Sequence, residues 1–180
     1  MKVAMRASVS AGLAIAMVAL SGCSHRWERP VRADGTYCYV LGKARNSVCT
    51  VQPVPPIEAD QRAKLFKPDD QAFTLYVVRH RWADASERVP VTIDAGSEML
   101  TVPESMLRIR LTPGSHRVSM AWEGKSKVET VEGRAGEVRF VQMAISAWSW
   151  GSTCEWDSSN AEDARARALK SRLLADVDMR

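Results

Sequence analysis

Alternating apolar residues on either side of a Pro-Gly turn are the feature that most constrains this fold. In SMLRIRL, residues Leu107, Ile109 and Leu111 alternate with two arginines. A two-residue period is typical of a strand with one buried and one polar face, because successive side chains point to opposite sides. TPGS then predicts a turn: Pro113 presets φ at its second position, and Gly114 accepts positive φ at its third.

Short segments with the same period recur on both sides of this turn. After it, HRVSMAW places three residues inward: Val118, Met120 and Trp122. Other segments are FTLYVVRH, RVPVTID, SEMLTV, KVETVEG and GEVRFVQMAIS. Pro90 interrupts RVPVTID and predicts an edge strand, because proline cannot donate a hydrogen bond to a sheet. The absence of long helical patterns between these segments predicts a mainly β fold, an antiparallel β-sandwich.

The C-terminal segment SSNAEDARARALKSRLLADVDMR predicts a helix. A polar residue at 158–160 can cap its start, and two acidic residues follow in the first turn, where the helix dipole favours them. Apolar residues at three- and four-residue spacing predict packing on the sandwich. These are Ala166, Leu169, Leu173 and Val177.

The N-terminus has the three-part layout of a secretory signal. Lys2 and Arg6 precede an apolar stretch over 11–20, which is shorter than the roughly 20 residues of a membrane-spanning helix. The end of the stretch, Leu20-Ser21-Gly22-Cys23, closely resembles the lipobox of bacterial lipoproteins. The resemblance implies cleavage before Cys23, a diacylglycerol thioether on its sulfur, and an acylated N-terminus. Serine at position 24 favours, by that family's sorting habit, the outer membrane facing the periplasm.

These patterns divide the chain into four predicted segments. Residues 23–55 have little periodicity and several prolines, whereas PIEADQRAKLFKP begins with a proline suited to a helix start. The predicted organisation is a lipoprotein signal peptide over 1–22, a lipidated tether with a small disulfide loop over 23–55, a short lead-in helix or linker over 56–72, and the β-sandwich with its C-terminal helix over 73–180.

The remaining cysteines predict a disulfide, since the periplasm is oxidising. Cys38 and Cys49 flank a short segment, and we favour this local pair. Closing a loop of about 12 residues contributes on the order of 3 kcal/mol in the chain-entropy model. The alternative joins Cys154 to one of them. Three cysteines without CxxC spacing predict no metal site.

Charge predicts no nucleic-acid partner. The chain has 25 Lys and Arg against 21 Asp and Glu, a formal net charge of +4, and the two signs are interleaved. We expect no cofactor, and we expect the membrane to be reached through the lipid on Cys23.

Several segments from residue 63 onward carry a family resemblance. They are AKLFKPDDQAFTLYVVRH, RIRLTPGSHRVSM, and GEVRFVQMAI with a later AEDAR. The chain resembles uncharacterised bacterial lipoproteins of the domain of unknown function 2846 family. The likeness extends to PEGA-type and carboxypeptidase-regulatory-type sandwiches and implies a transthyretin/PEGA-like fold. The family has no established catalytic residues, so the resemblance implies none here.

The residues most suited to chemistry do not predict an enzyme. His116 is expected to start a strand, with its ring packed and hydrogen-bonded to the turn. GKSKV lacks the second glycine of a nucleophile elbow, and Cys154 has no supporting signature.

Tryptophans are the strongest candidates for binding. Trp82 lies in a polar loop and is a plausible contact point for a partner. Trp148, Trp150 and Trp156 form either core packing, which we favour, or a platform for sugar rings. We therefore expect a non-catalytic envelope lipoprotein, a binding or scaffold module with a protein partner. The alternative is peptidoglycan or glycan binding through the tryptophans.

Overall fold

The structure, a computed structural model, describes residues 31–40, 47–80, 87–148 and 151–180. Within them the chain forms a five-stranded and a four-stranded sheet, a separate two-stranded hairpin and two short helices. The predicted β-sandwich with a C-terminal helix is confirmed. The elements are β1 (Cys38–Val40), β2 (Ser47–Cys49), α1 (Ile57–Ala63), β3 (Phe73–Arg79), β4 (Val89–Ile93), β5 (Met99–Thr101), β6 (Ser105–Leu111), β7 (Gly114–Trp122), β8 (Lys125–Gly133), β9 (Val138–Trp148), β10 (Gly151–Asp157), α2 (Ala161–Ala168) and β11 (Arg172–Asp178).

The larger sheet has the order β10-β9-β3-β6-β11, and the smaller has the order β5-β4-β7-β8. The smaller sheet is antiparallel, whereas the larger is mixed, because β3 runs parallel to β9 and β11 runs parallel to β6. The central strand β3 is buried on both faces. Phe73, Leu75 and Val77 belong to the core between the sheets, and Tyr76 and Val78 to a second cluster beneath α1 and α2.

The TPGS segment carries the chain from one sheet to the other. β6 lies in the five-stranded sheet and β7 in the four-stranded sheet, and Gly114 has the positive φ of +143° that this corner requires. The next turn is a hairpin: Trp122 pairs with Lys125, and both residues between them have positive φ, as a type I′ turn needs.

The expectation that β4 is an edge strand was wrong. β4 lies between β5 and β7. Pro90 is tolerated because the pairing with β7 begins only at Val91, so the proline faces β5 alone.

The C-terminal helix is shorter than the helix that we predicted from the apolar stripe. Asn160 caps it by accepting from the backbone N–H of Asp163 at 2.9 Å, but α2 ends at Ala168. Residues 172–178 instead form β11 along β6, with a bulge between Leu173 and Ala175. Ion pairs with the arginines of β6 stabilise this strand.

Candidate functional site

A disulfide-linked hairpin forms one end of the molecule. Cys38 and Cys49 are joined, and β1 pairs with β2 between them, so the local pairing is confirmed and the pairing through Cys154 is excluded. Tyr37 and Tyr39 are 2% and 1% exposed and pack against Val102. The described part of 23–55 is therefore packed on the sandwich.

Contacts to the strands hold this hairpin in place. The Tyr37 hydroxyl donates to the Glu104 carbonyl at 3.3 Å, and Arg88 Nε donates to the Cys49 carbonyl at 2.7 Å. Arg88 follows residues 81–86 in the sequence, and that segment, with Trp82, lies outside the described residues. We call this region the hairpin end: residues 31–40 and 47–57, with Arg88.

Apolar side chains are exposed on the hairpin end. Seven large apolar side chains of the described part are exposed, and four of them lie here. These are Val31, Val40, Val51 and Ile57. Large exposed apolar patches mark protein-interaction sites, so the part of the described surface with the most exposed large apolar side chains is the candidate interface.

Several of the sequence-predicted site residues fall outside the part of the chain that the structure describes. Cys23, Trp82 and Trp150 lie outside the described residues, as does the side chain of Trp148 at the end of β9. Trp156 is described: it is half-buried, packs against the main core and donates its indole N–H to the Lys127 carbonyl at 3.0 Å. This contact covers the outer edge of β8. One of the three indoles of the predicted sugar platform is therefore engaged in packing and hydrogen bonding within the fold. The glycan hypothesis stays a prediction.

Cys154 lies in the core between the sheets. It is 2% exposed, and its Sγ lies 3.3 Å from Met120 Sδ. A buried thiol among apolar groups behaves as a small hydrophobic residue rather than a nucleophile.

His116 is held by both ring nitrogens, which confirms the packing role expected from the sequence. Nε2 lies 2.8 Å from the Thr112 carbonyl and Nδ1 lies 2.8 Å from Asp94 Oδ2, while the ring stacks on Phe73. Both partners are hydrogen-bond acceptors, so neither nitrogen is available to a substrate or metal. The hydrogen bond from His116, and then the backbone N–H of Arg117, lower the pKa of Asp94.

We expect Asp94→Asn to remove a pH-dependent part of the stability. Because the folded-state pKa of Asp94 is lowered, its contribution is present above the unfolded-state value of 3.8 and is lost as the pH falls through the folded value. The side chain is 47% exposed, so we expect about 1 kcal/mol or less. Urea unfolding of the wild type and the variant at about pH 5 and about pH 3 measures this pH-dependent contribution. A difference between wild type and variant that is equal at both pH values would contradict this role.

An open cleft of about 590 Å³ lies at the other end of the sandwich. Its charged lining is two glutamates and two arginines, Glu132, Glu137, Arg134 and Arg139. Arg139 Nε donates to Glu137 at 2.6 Å, and this bond is the main cause of a lowered pKa of Glu137. The balanced charge favours neither anions nor cations.

A second, basic cavity was missed by the sequence reasoning. It lies beside rows of paired charges in which Arg108 and Arg110 of β6 face Asp176 and Asp178 of β11. The matching two-residue alternation of arginines and aspartates was the signal that could have predicted both the strand and the cavity.

Comparisons with known proteins do not assign the chain to a group. No protein-family model matches it, and no curated protein matches it significantly. Among the described residues, no helix combines the length and apolar character needed to cross a bilayer, and no group of His, Cys, Asp or Glu side chains is arranged to hold a metal ion.

Proposed function

We propose that this chain is a lipid-anchored lipoprotein of the bacterial envelope, with a periplasm-facing sandwich that binds an envelope protein and performs no catalysis. The observation that carries the proposal is the N-terminal signal ending in Leu20-Ser21-Gly22-Cys23. The disulfide between Cys38 and Cys49 supports it, because such bonds persist in oxidising compartments. Two or more acyl chains, each contributing about 0.8 kcal/mol per buried CH₂, would give stable anchoring.

The positions of the best nucleophile and base favour binding over catalysis. The thiol of Cys154 is enclosed in the core, and both nitrogens of His116 are hydrogen-bonded within the fold. A Cys-His pair needs the two side chains within hydrogen-bond reach of each other and of a substrate. These two residues are instead part of the packing.

The hairpin end is the surface that best suits a protein partner. It carries exposed Val31, Val40 and Val51, and its disulfide and buried tyrosines fix the backbone that presents them. A rigid surface loses little conformational entropy on binding. Trp82, six residues before Arg88 in the sequence, would add an aromatic contact of the kind that dominates interfaces.

We expect Cys23→Ala to abolish lipidation and membrane association. The thioether can form only on this sulfur if the lipobox is used. Metabolic labelling with a radioactive fatty acid, followed by membrane fractionation, measures both properties. Cys154→Ala is the matched control and should keep the label. An unlabelled wild type, or a labelled and membrane-bound Cys23→Ala variant, would contradict the proposal.

We expect Val40→Asp and Trp82→Ala to reduce the crosslinked partner at least about tenfold, equivalent to about 1.4 kcal/mol of binding free energy. A carboxylate at Val40 would have to lose its hydration against an apolar partner surface. Crosslinking in living cells, purification and mass spectrometry give the yield. The partner is defined as a protein recovered in near-stoichiometric amount with the wild type.

Val128→Asp is the matched control for this experiment. Val128 is 44% exposed and Val40 is 47% exposed, but Val128 lies on β8, away from the hairpin end. Equal loss of the partner in both variants would contradict a contact at the hairpin end. Recovery of cell-wall fragments with no protein partner would favour the glycan alternative and its residues Trp148, Trp150 and Trp156.

A further inference from the structure

The basic cavity lies on the outer face of the five-stranded sheet, where β3 and β6 meet the segment that follows α1. It measures about 380 Å³. Thr74 lies directly opposite Arg110 across the two strands, so their side chains stand next to each other on this face. The lining residues are Lys67, Pro68, Asp69, Thr74, Arg108 and Arg110.

The hydroxyl of Thr74 has no hydrogen-bond partner in the part of the chain that the structure describes. Thr74 is 3% exposed and lines the cavity, and its side chain makes no hydrogen bond with any described residue. The hydroxyl therefore keeps one donor and two acceptor lone pairs for whatever occupies the cavity. The cavity is the space from which a ligand can satisfy it.

The charges around the cavity leave an excess of one positive charge. Arg108 and Arg110 each donate to Asp176 at 2.8 Å, and Arg110 also donates to Asp178 at 3.4 Å. On the cavity wall, Asp69 lies 3.6 Å from Arg180. With Lys67, the charged lining residues and their ion-pair partners therefore number four cations and three carboxylates.

Lys67 supplies the excess charge. Its ammonium group has no hydrogen-bond or ion-pair partner among residues 31–40, 47–80, 87–148 and 151–180. Arg110 Nη2 likewise makes no hydrogen bond within that part of the chain. An ammonium, a hydroxyl and a guanidinium donor thus line one small cavity.

We propose that this cavity binds a phosphate group. Three donors of different kinds suit the several oxygens of a phosphate better than the two oxygens of a carboxylate. The site is independent of the proposed partner surface, because Arg110 lies near the end of β6, whereas the hairpin contacts Glu104, just before β6 begins. The cavity therefore lies away from the hairpin end, which, under the proposed function, follows the lipid-bearing segment in the sequence. This position favours the phosphate of a soluble molecule over a headgroup of the anchoring membrane.

Calorimetric titration of the detergent-solubilised lipoprotein tests the site. The probes are inorganic phosphate, glycerophosphoglycerol as a soluble lipid headgroup, and acetate. We expect phosphate to bind, and Lys67→Ala and Thr74→Val each to weaken it at least about tenfold. Lys170→Ala, which removes an exposed lysine far from the cavity in sequence, should bind as the wild type does.

Thr74→Val separates binding from folding, because valine has the shape of threonine and suits a strand. Without phosphate, its melting temperature should stay close to that of the wild type, because the shape of the side chain is kept and no hydrogen bond to a described residue is lost. Tighter binding of glycerophosphoglycerol than of inorganic phosphate would identify the source as a lipid headgroup, and the reverse would identify a soluble phosphate. No phosphate binding, equal binding by all variants, or equal binding of acetate would overturn the proposal.

Discussion

Replacing Asp60 by alanine is expected to lower the free energy of unfolding by about 3–5 kcal/mol. Asp60 is 2% exposed, and its carboxylate accepts from the Leu173 N–H at 2.7 Å and from Lys64 Nζ at 2.6 Å. Arg172 Nη1 lies 3.2 Å away on a side chain that is 10% exposed. The substitution would leave this buried guanidinium without its counter-charge, and the strand N–H without its acceptor.

Equilibrium urea unfolding measures this effect, with Glu58→Ala as the matched control. Glu58 is an exposed acidic residue on the same helix, and its removal should change stability by no more than about 0.5 kcal/mol. Adding Arg172→Met to Asp60→Ala should recover part of the loss, because no charge is then left buried. A loss below about 1 kcal/mol for Asp60→Ala would show that the carboxylate does not stabilise the contact between α1 and β11.

The same contact shows what the sequence could not predict. Asp60 and Leu173 are 113 residues apart, and Arg108 of β6 and Asp176 of β11 are 68 residues apart. Apolar residues four apart share a helix face, but they also share a strand face, so Leu173 and Val177 suit both structures. The choice of a strand depends on ion pairs with distant arginines, which a local pattern does not contain.

Features that depend on near neighbours were predicted well. The alternation over 105–122 gave both strands, because burial of one face fixes a two-residue period. The disulfide joins residues 11 apart, and the contact of His116 with the Thr112 carbonyl stays within one turn. The basic cavity, by contrast, combines residues 67–74 with two arginines of β6, and only the folded sheet brings them together.

A second large loss of stability is expected at Gly133. A β-carbon at this position would lie 2.0 Å from Cδ2 of Phe73, far inside van der Waals contact. Phe73 is 0% exposed and stacks against His116, so its ring cannot turn into solvent. Overpacking of a core typically costs about 1–3 kcal/mol, and we expect Gly133→Ala to reach the upper end, about 3 kcal/mol, because the overlap is with a ring.

Two further variants separate this overlap from backbone strain. Gly124→Ala places a methyl group in open space, but the alanine must adopt a backbone φ of +72°. The substitution should therefore lower the free energy of unfolding by about 1 kcal/mol through backbone strain alone. Phe73→Leu removes ring atoms, and by itself it should destabilise the core. Combined with Gly133→Ala, it should cost less than the sum of the two single changes, because the smaller side chain leaves room for the methyl group. Thermal or urea unfolding of the four variants gives the coupling energy. Strictly additive losses for Gly133→Ala and Phe73→Leu would contradict a direct contact between these two positions, since only steric overlap with the ring makes the two substitutions depend on each other. Equal losses for Gly133→Ala and Gly124→Ala would contradict it as well.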